Sequence, residues 1–142
     1  MKISARNQLA GTVTSVNEGA VNSIVAIKIS CGCTVKANIT NEAISELGLA
    51  EGKAAVAIIK ASNVMFAAGA DKLPLSARNQ FVGKIVMVKE GAVNCHVTLE
   101  TKSGIRISGS VTNEAVSELG LAEGVEAVAF FKSTDVMVGI EE

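Results

Sequence analysis

Ser4-Ala5-Arg6-Asn7-Gln8 puts a hydroxyl, a guanidinium and two carboxamides beside a row of backbone N–H groups, with no acid among them. The same five residues return 72 positions later as Ser76-Ala77-Arg78-Asn79-Gln80. Neither stretch has the side chains to build a core. Both are rich in hydrogen-bond donors, and the acceptor that best matches such a set is an anion, because charge-assisted bonds to an oxyanion are the strong ones. The chemistry expected is capture of a small oxyanion at more than one place.

Three further segments repeat along with the arginine boxes. Thr40 and Thr112 each precede Asn-Glu-Ala, where a helix is expected to begin with unpaired N–H groups. Lys60-Ala61-Ser62 is matched by Lys132-Ser133-Thr134, an ammonium followed by hydroxyls and main-chain donors. Gly19-Ala20-Val21-Asn22 is matched by Gly91-Ala92-Val93-Asn94, a turn of small residues whose backbone can come close to a ligand. Each has an ordinary explanation when taken singly. Ser4 and Arg6 can make a turn and a surface ion pair, Thr40 can be only a cap, Lys60 a solvated strand end, and Gly19 plain turn geometry. The repetition of all four, with no carboxylate fixed beside Arg6 or Lys60, favours the anion.

Reaction chemistry has little to work with. There is no Ser/His/Asp set, no GxGxxG and no Walker loop. His96 is the only histidine, and Ile24 stands at its counterpart. Cys31-x-Cys33 faces Ser103-x-Ile105 in the other copy, and no histidine or cysteine cluster completes a four-ligand set. A binding protein is expected, not an enzyme, with no cation ligated directly by protein side chains.

These segments are carried by a duplicated unit. At a shift of 72, Glu18 to Asn22 meets Glu90 to Asn94, Thr40 to Ala43 meets Thr112 to Ala115, and Ser45 to Gly52 meets Ser117 to Gly124, without a gap. Two domains are expected, 1–70 and 74–142, joined just before Pro74, the single proline. Within a unit, Leu9, Gly11 and Val13 share one face of a first strand, as do Phe81, Gly83, Ile85 and Met87 in the second copy. Glu18-Gly19 turns the chain, with Gly19 expected at positive φ. Val21, Val25, Ile27 and Ile29 form the inner face of a second strand, with a hairpin at Cys31-Gly32-Cys33. Val35, Ala37 and Ile39 face inward on a third strand. Thr40 then caps a short helix with Ala43, Ile44 and Leu47 as its apolar stripe, and Gly48 ends it. A fourth strand runs from Lys53 to Lys60, and a fifth holds Val64 and Phe66. The fold class is all-β: two tandem OB-fold-like five-stranded barrels, each with one short helix between strands three and four.

Composition narrows the partners. The 142 residues carry a formal net charge of −1, which disfavours binding to a phosphate backbone. There is no Trp or Tyr to stack bases upon. No apolar run approaches the ~18 residues of a membrane span. Met1-Lys2-Ile3-Ser4 has none of the features of a secretory signal, and three cysteines do not make a disulfide framework, so a cytoplasmic location is expected. A unit of about 70 residues buries only ~60% of its unfolded surface, and the surplus of Ala and Val suggests burial against other copies in a homo-oligomer.

Ser-Ala-Arg-Asn-Gln, Glu-Gly-Ala-Val-Asn, the threonine at a helix start and Lys60-Ala61-Ser62-Asn63-Val64, in that order, resemble the molybdate-binding Mop domain. The resemblance covers nearly the whole chain, twice, as in a tandem (di-Mop) molbindin. It implies an OB-type barrel, assembly as a trimer, and molybdate or tungstate held at interfaces between units, for intracellular binding, storage and homeostasis. By matched position it implies one site type built from Ser4, Ala5 and Arg6 with Thr40, Lys60, Ala61 and Ser62 of a neighbour, and from Ser76, Ala77 and Arg78 with Thr112, Lys132 and Ser133. A second site type near the symmetry axis would use Gly19, Ala20, Val21 and Asn22, and Gly91, Ala92, Val93 and Asn94. Ala61 becomes Ser133 and Asn63 becomes Asp135, so the copies are not identical there. The rival expectation is an OB-like interaction module that binds a protein or an oligonucleotide and no oxyanion.

Overall fold

The computed structural model describes residues 1–141, with Cys31 described by its backbone alone. The elements run β1 (Asn7–Glu18), β2 (Asn22–Ile29), β3 (Thr34–Thr40), α1 (Asn41–Leu47), β4 (Ala54–Ile59) and β5 (Met65–Ala68), then β6 (Asn79–Glu90), β7 (Asn94–Glu100), β8 (Arg106–Thr112), α2 (Asn113–Leu119), β9 (Glu126–Phe131) and β10 (Met137–Gly139). Strand, strand, strand, helix, strand, strand occurs twice, as the periodicity of the sequence requires. The mostly β, barrel-like architecture with one short helix per copy is the one expected.

The closing strands are distributed differently from the repeats. One antiparallel sheet has the order β10-β4-β1-β2-β3 and the other β5-β9-β6-β7-β8. The fifth strand of each copy therefore completes the sheet built from the first four strands of the other. The chain divides into one compact unit of Met1–Ile59 with Lys132–Glu142 and a second of Lys60–Phe131. The sequence copies 1–70 and 74–142 and these compact units are two different partitions of the chain. Periodicity marks β5 and β10 as strands, but it carries no information on which edge a strand of three or four residues will join.

Each first strand is long because it serves two partners. The N-terminal half of β1 pairs with β4 (Asn7↔Ile59 to Thr12↔Ala54) and its C-terminal half with β2 (Gly11↔Ile29 to Glu18↔Ser23). A bulge between Val13 and Ser15 bends it from one partner to the other, and β6 repeats this between Ile85 and Met87. The bulge overturns one expectation. Met87 does not continue the inward row of Phe81, Gly83 and Ile85; the extra residue reverses the alternation and leaves it 40% exposed. Gly11 and Gly83 make the double pairing possible, since a Cβ on either would lie 2.3 Å from the carbonyl oxygen of Lys28 or Glu100.

The interior of the first unit is aliphatic: Val13, Val25, Ile27, Val35, Ala37 and Ile59 are at most 1% exposed. That of the second is partly aromatic, with Phe81 and Phe131 stacked at 5.9 Å between ring centroids. Val21 is not part of the β2 core face. It lies in the turn ahead of the strand and is 70% exposed. The helices cap as expected: Thr40 Oγ1 accepts from the Ala43 N–H at 3.2 Å, and Gly48 takes a left-handed φ of 64°.

Candidate oxyanion-binding site

The arginine boxes are set by the residues that follow the arginine. Asn7 is buried, pairs with Ile59 across β1 and β4, and donates from Nδ2 to the Ile59 carbonyl at 3.1 Å. Asn79, equally buried, pairs with Phe131 in the same register. Gln8 Nε2 donates to the Ala5 carbonyl at 3.4 Å, and Gln80 brackets Leu73 by accepting from its N–H at 2.7 Å and donating to its carbonyl at 3.0 Å. Asn and Gln thus anchor the segment by its backbone. Ser4, Arg6, Ser76 and Arg78 are left exposed, with Ala5 and Ala77 half-buried.

The Arg6 guanidinium turns back on its own segment, donating from Nε to the Ser4 carbonyl at 3.1 Å and from Nη2 to the Ile3 carbonyl at 3.5 Å. Among the described residues no carboxylate pairs with Arg6, Arg78, Lys60 or Lys132; the ion pairs Met1–Glu141, through the terminal ammonium, and Arg106–Glu100 involve none of them. Four exposed cations, equivalent in pairs, keep their charge uncompensated.

Lys60 leaves β4 with extended φ and ψ, and Ala61–Asn63 then make one 3-10 turn. That turn is closed by Asn63 N–H to the Lys60 carbonyl at 3.0 Å, which leaves the N–H groups of Ala61 and Ser62 at its head, where a helical turn offers no internal acceptor. Lys132 and Ser133–Asp135 repeat the geometry. Asp135, half-buried in place of Asn63, adds a carboxylate to that turn in the second copy only.

The small-residue turn and the helix start form one assembly. The Asn41 N–H donates to the Val21 carbonyl at 2.8 Å and its Nδ2 to the Gly19 carbonyl at 3.0 Å, while Ser23 Oγ donates to Asn41 Oδ1. In the second copy Asn113 makes the same bonds to Val93 and Gly91, at 2.8 and 3.1 Å, and Cys95 Sγ replaces the hydroxyl, 2.8 Å from Asn113 Oδ1. Asn41 and Asn113 were not among the residues singled out by sequence; their place in the repeated Thr-Asn-Glu-Ala was the signal available. Gly19 is not at positive φ, contrary to expectation. It is required because its N–H bonds to the Asn22 carbonyl at 2.9 Å, so closely that a Cβ would sit 2.5 Å from that oxygen. Gly19 to Asn22 and Gly91 to Asn94 are all exposed, as are Thr40 and Thr112. The hollow beside α1 is lined by Glu18 with Asn41, Ile44 and Ser45, so it presents a carboxylate and is wrong in sign for an anion.

The TOBE domain model matches the chain twice, over residues 3–66 and 75–138. The chain is 42% identical to the molybdenum transport protein ModE of Azotobacter vinelandii and 39% identical to the molybdenum-pterin-binding protein MopA of Rhodobacter capsulatus, each over 99% of its own length. It spans about half the length of these curated relatives, 52% and 53%. Among solved structures it is similar to ModG, described as a cytoplasmic molybdate-binding protein and crystallised with molybdate bound, with a TM-score of 0.95 and 43% identity over 99% of this chain and 100% of that one. The chain belongs to the TOBE domain family, and it carries that domain as two copies in tandem.

Proposed function

We propose that the protein binds molybdate, with tungstate as the alternative ion, through hydrogen bonds made at interfaces between copies of the chain, and that it serves intracellular storage and homeostasis of the ion. The observation that carries the reading is the pair of uncompensated cation sets. Arg6 precedes β1 and Lys60 follows β4, whose ends are in register at Asn7↔Ile59; Arg78 and Lys132 stand likewise at Asn79↔Phe131. The full-length likeness to molybdate-bound ModG supports the same ion.

A tetrahedral dianion offers four acceptor oxygens and is held by converging N–H and O–H donors with cations nearby. The site residues are those of the repeated segments: Ser4, Ala5 and Arg6 with Thr40, Lys60, Ala61 and Ser62, and their counterparts in the second copy. The boundaries 1–70 and 74–142 are read as those of the duplicated unit. In a single chain these donors are exposed or half-buried, so water competes for them; a neighbouring copy would exclude it. Val21 and Val93, about 70% exposed at the turn tips, supply apolar surface for such a contact, and a cytoplasmic homotrimer is the assembly proposed. The chain acts by binding alone and catalyses no reaction in this reading.

Native mass spectrometry with and without molybdate tests all of this together, with equilibrium dialysis for affinity. The expected result is a trimer that gains a fixed number of ions and keeps them against excess chloride. A protein that takes up no molybdate at micromolar concentration overturns the proposal.

A further inference from the structure

All four phenylalanines of the chain lie in the second sheet: Phe66 on β5, Phe81 on β6, and Phe130 and Phe131 on β9. Their counterparts in the first sheet are Val138, Leu9, Ile58 and Ile59. Three of the four belong to the second sequence copy. Phe66 alone comes from the first, and it is the residue that the first copy delivers to the other sheet.

The slot that receives Phe66 is cut for it. Phe66 pairs with Ala129 and is 8% exposed. Gly109 of β8 lies beneath its ring: a Cβ there would be 2.5 Å from Phe66 Cε2, 3.1 Å from Cζ and 3.1 Å from Val64 Cβ. Gly109 is not at positive φ, so its backbone would accept a side chain; the Phe66 ring is the nearest group that excludes one, with Val64 Cβ behind it. At the equivalent place the first sheet has Ala37, fully buried, and the strand that closes it brings Val138, paired with Ala57 in the matching register. A large residue over glycine in one sheet is matched, at the equivalent positions, by a valine and an alanine in the other.

We propose that these two edge slots discriminate between closing strands by size: the slot over Gly109 accepts a strand with phenylalanine at its centre, and the slot over Ala37 accepts valine and rejects phenylalanine. A ring seated over Ala37 as Phe66 is over Gly109 would lie 2.5 Å from the methyl, about an ångström inside contact. The first copy therefore cannot close on its own fifth strand. The exchange of strands is enforced by packing, and when copies of the chain meet, β5 has one acceptor edge while β10 in that slot would leave a void.

The test is a pair of double-mutant cycles in the full chain, read by thermal unfolding. Gly109→Ala is expected to lower Tm by about 5–10 °C, since overpacking in a unit of this size has that effect. Phe66→Val alone lowers it by leaving a void. The double variant F66V/G109A, which copies the Val138–Ala37 pairing, is expected to unfold well above G109A. In the first sheet Val138→Phe is expected to be severely destabilising, and A37G/V138F to recover most of the loss. Additive effects in both cycles, or a Gly109→Ala variant as stable as the parent, overturn the proposal. Should G109A fail to fold, recovery of a folded protein in F66V/G109A still supports it, and failure of both counts against it.

Discussion

Asn41 Nδ2 donates to the carbonyl of Gly19 at 3.0 Å, so the first residue of α1 holds the turn between β1 and β2 by its side chain. The Asn41 backbone holds the same turn through Val21, and Ser23 orients the carboxamide from the other side. A turn that is exposed throughout is thus held by two backbone bonds and by one side chain from α1. Replacing Asn41 and Asn113 by alanine removes the carboxamide bonds, leaves the backbone bonds to Val21 and Val93, and is expected to cost roughly 1–3 kcal/mol of stability at each site. Amide exchange measured by mass spectrometry should accelerate over Gly19–Asn22 and Gly91–Asn94 while the β2 and β7 cores stay protected. Unchanged exchange in the turns would mean that their shape is intrinsic to the glycine.

Among the described residues neither Arg6 nor Arg78 meets a carboxylate. Arg6→Ala with Arg78→Ala is expected to leave Tm within a degree or two of the parent, since the bonds lost are exposed ones to Ser4 and Ile3 carbonyls. Molybdate affinity should fall by about 10- to 100-fold, the cost of a charge-assisted bond. Isothermal titration that gives the same affinity in the double variant would reject the arginine assignment.

Element order, both helix caps and the repeated donor segments were legible because each is written locally. Thr40, Glu42 and Gly48 announce a helix start and stop within nine positions, and alternation announces β3. Two kinds of feature escaped. Bulges at Val13–Ser15 and Ile85–Met87 reverse the inward face without a glycine or proline inside the bulge to mark it, so alternation alone puts Met87 on the wrong side. Edge choice by β5 and β10 depends on a size match between residues more than 40 positions apart, Phe66 and Gly109, which no window along the chain contains. In the candidate site, sequence found the exposed donors and missed Asn41 and Asn113, whose contribution is to hold carbonyls in place.

Asn7 tests how the arginine box is anchored. It is 2% exposed and bonded to the Ile59 carbonyl, so Asn7→Ala leaves both a void and a buried acceptor short of a donor. A loss of about 1–3 kcal/mol is expected from the midpoint of urea unfolding. Gln8→Ala, which removes one long exposed bond to Ala5, is expected to change the midpoint little. Equal effects of the two would place the anchor elsewhere.

The glycines separate two physical demands that a sequence cannot tell apart. Gly48 sits at φ +64° with nothing within 4 Å of a would-be Cβ, so alanine there meets only the left-handed backbone penalty, about 1–2 kcal/mol. Gly11 is in ordinary strand conformation, but its Cβ would strike the Lys28 carbonyl at 2.3 Å. That oxygen belongs to β2 and cannot move without breaking the pairing that bends β1 around the barrel. Gly11→Ala is therefore expected to cost about 3 kcal/mol or more, and Gly83→Ala, facing the Glu100 carbonyl, the same. Denaturant unfolding of G11A, G83A and G48A ranks them directly. If G48A proved the most damaging, close approach of β2 would not be what these strand glycines are kept for, and the bend of β1 would have to rest on its bulge alone.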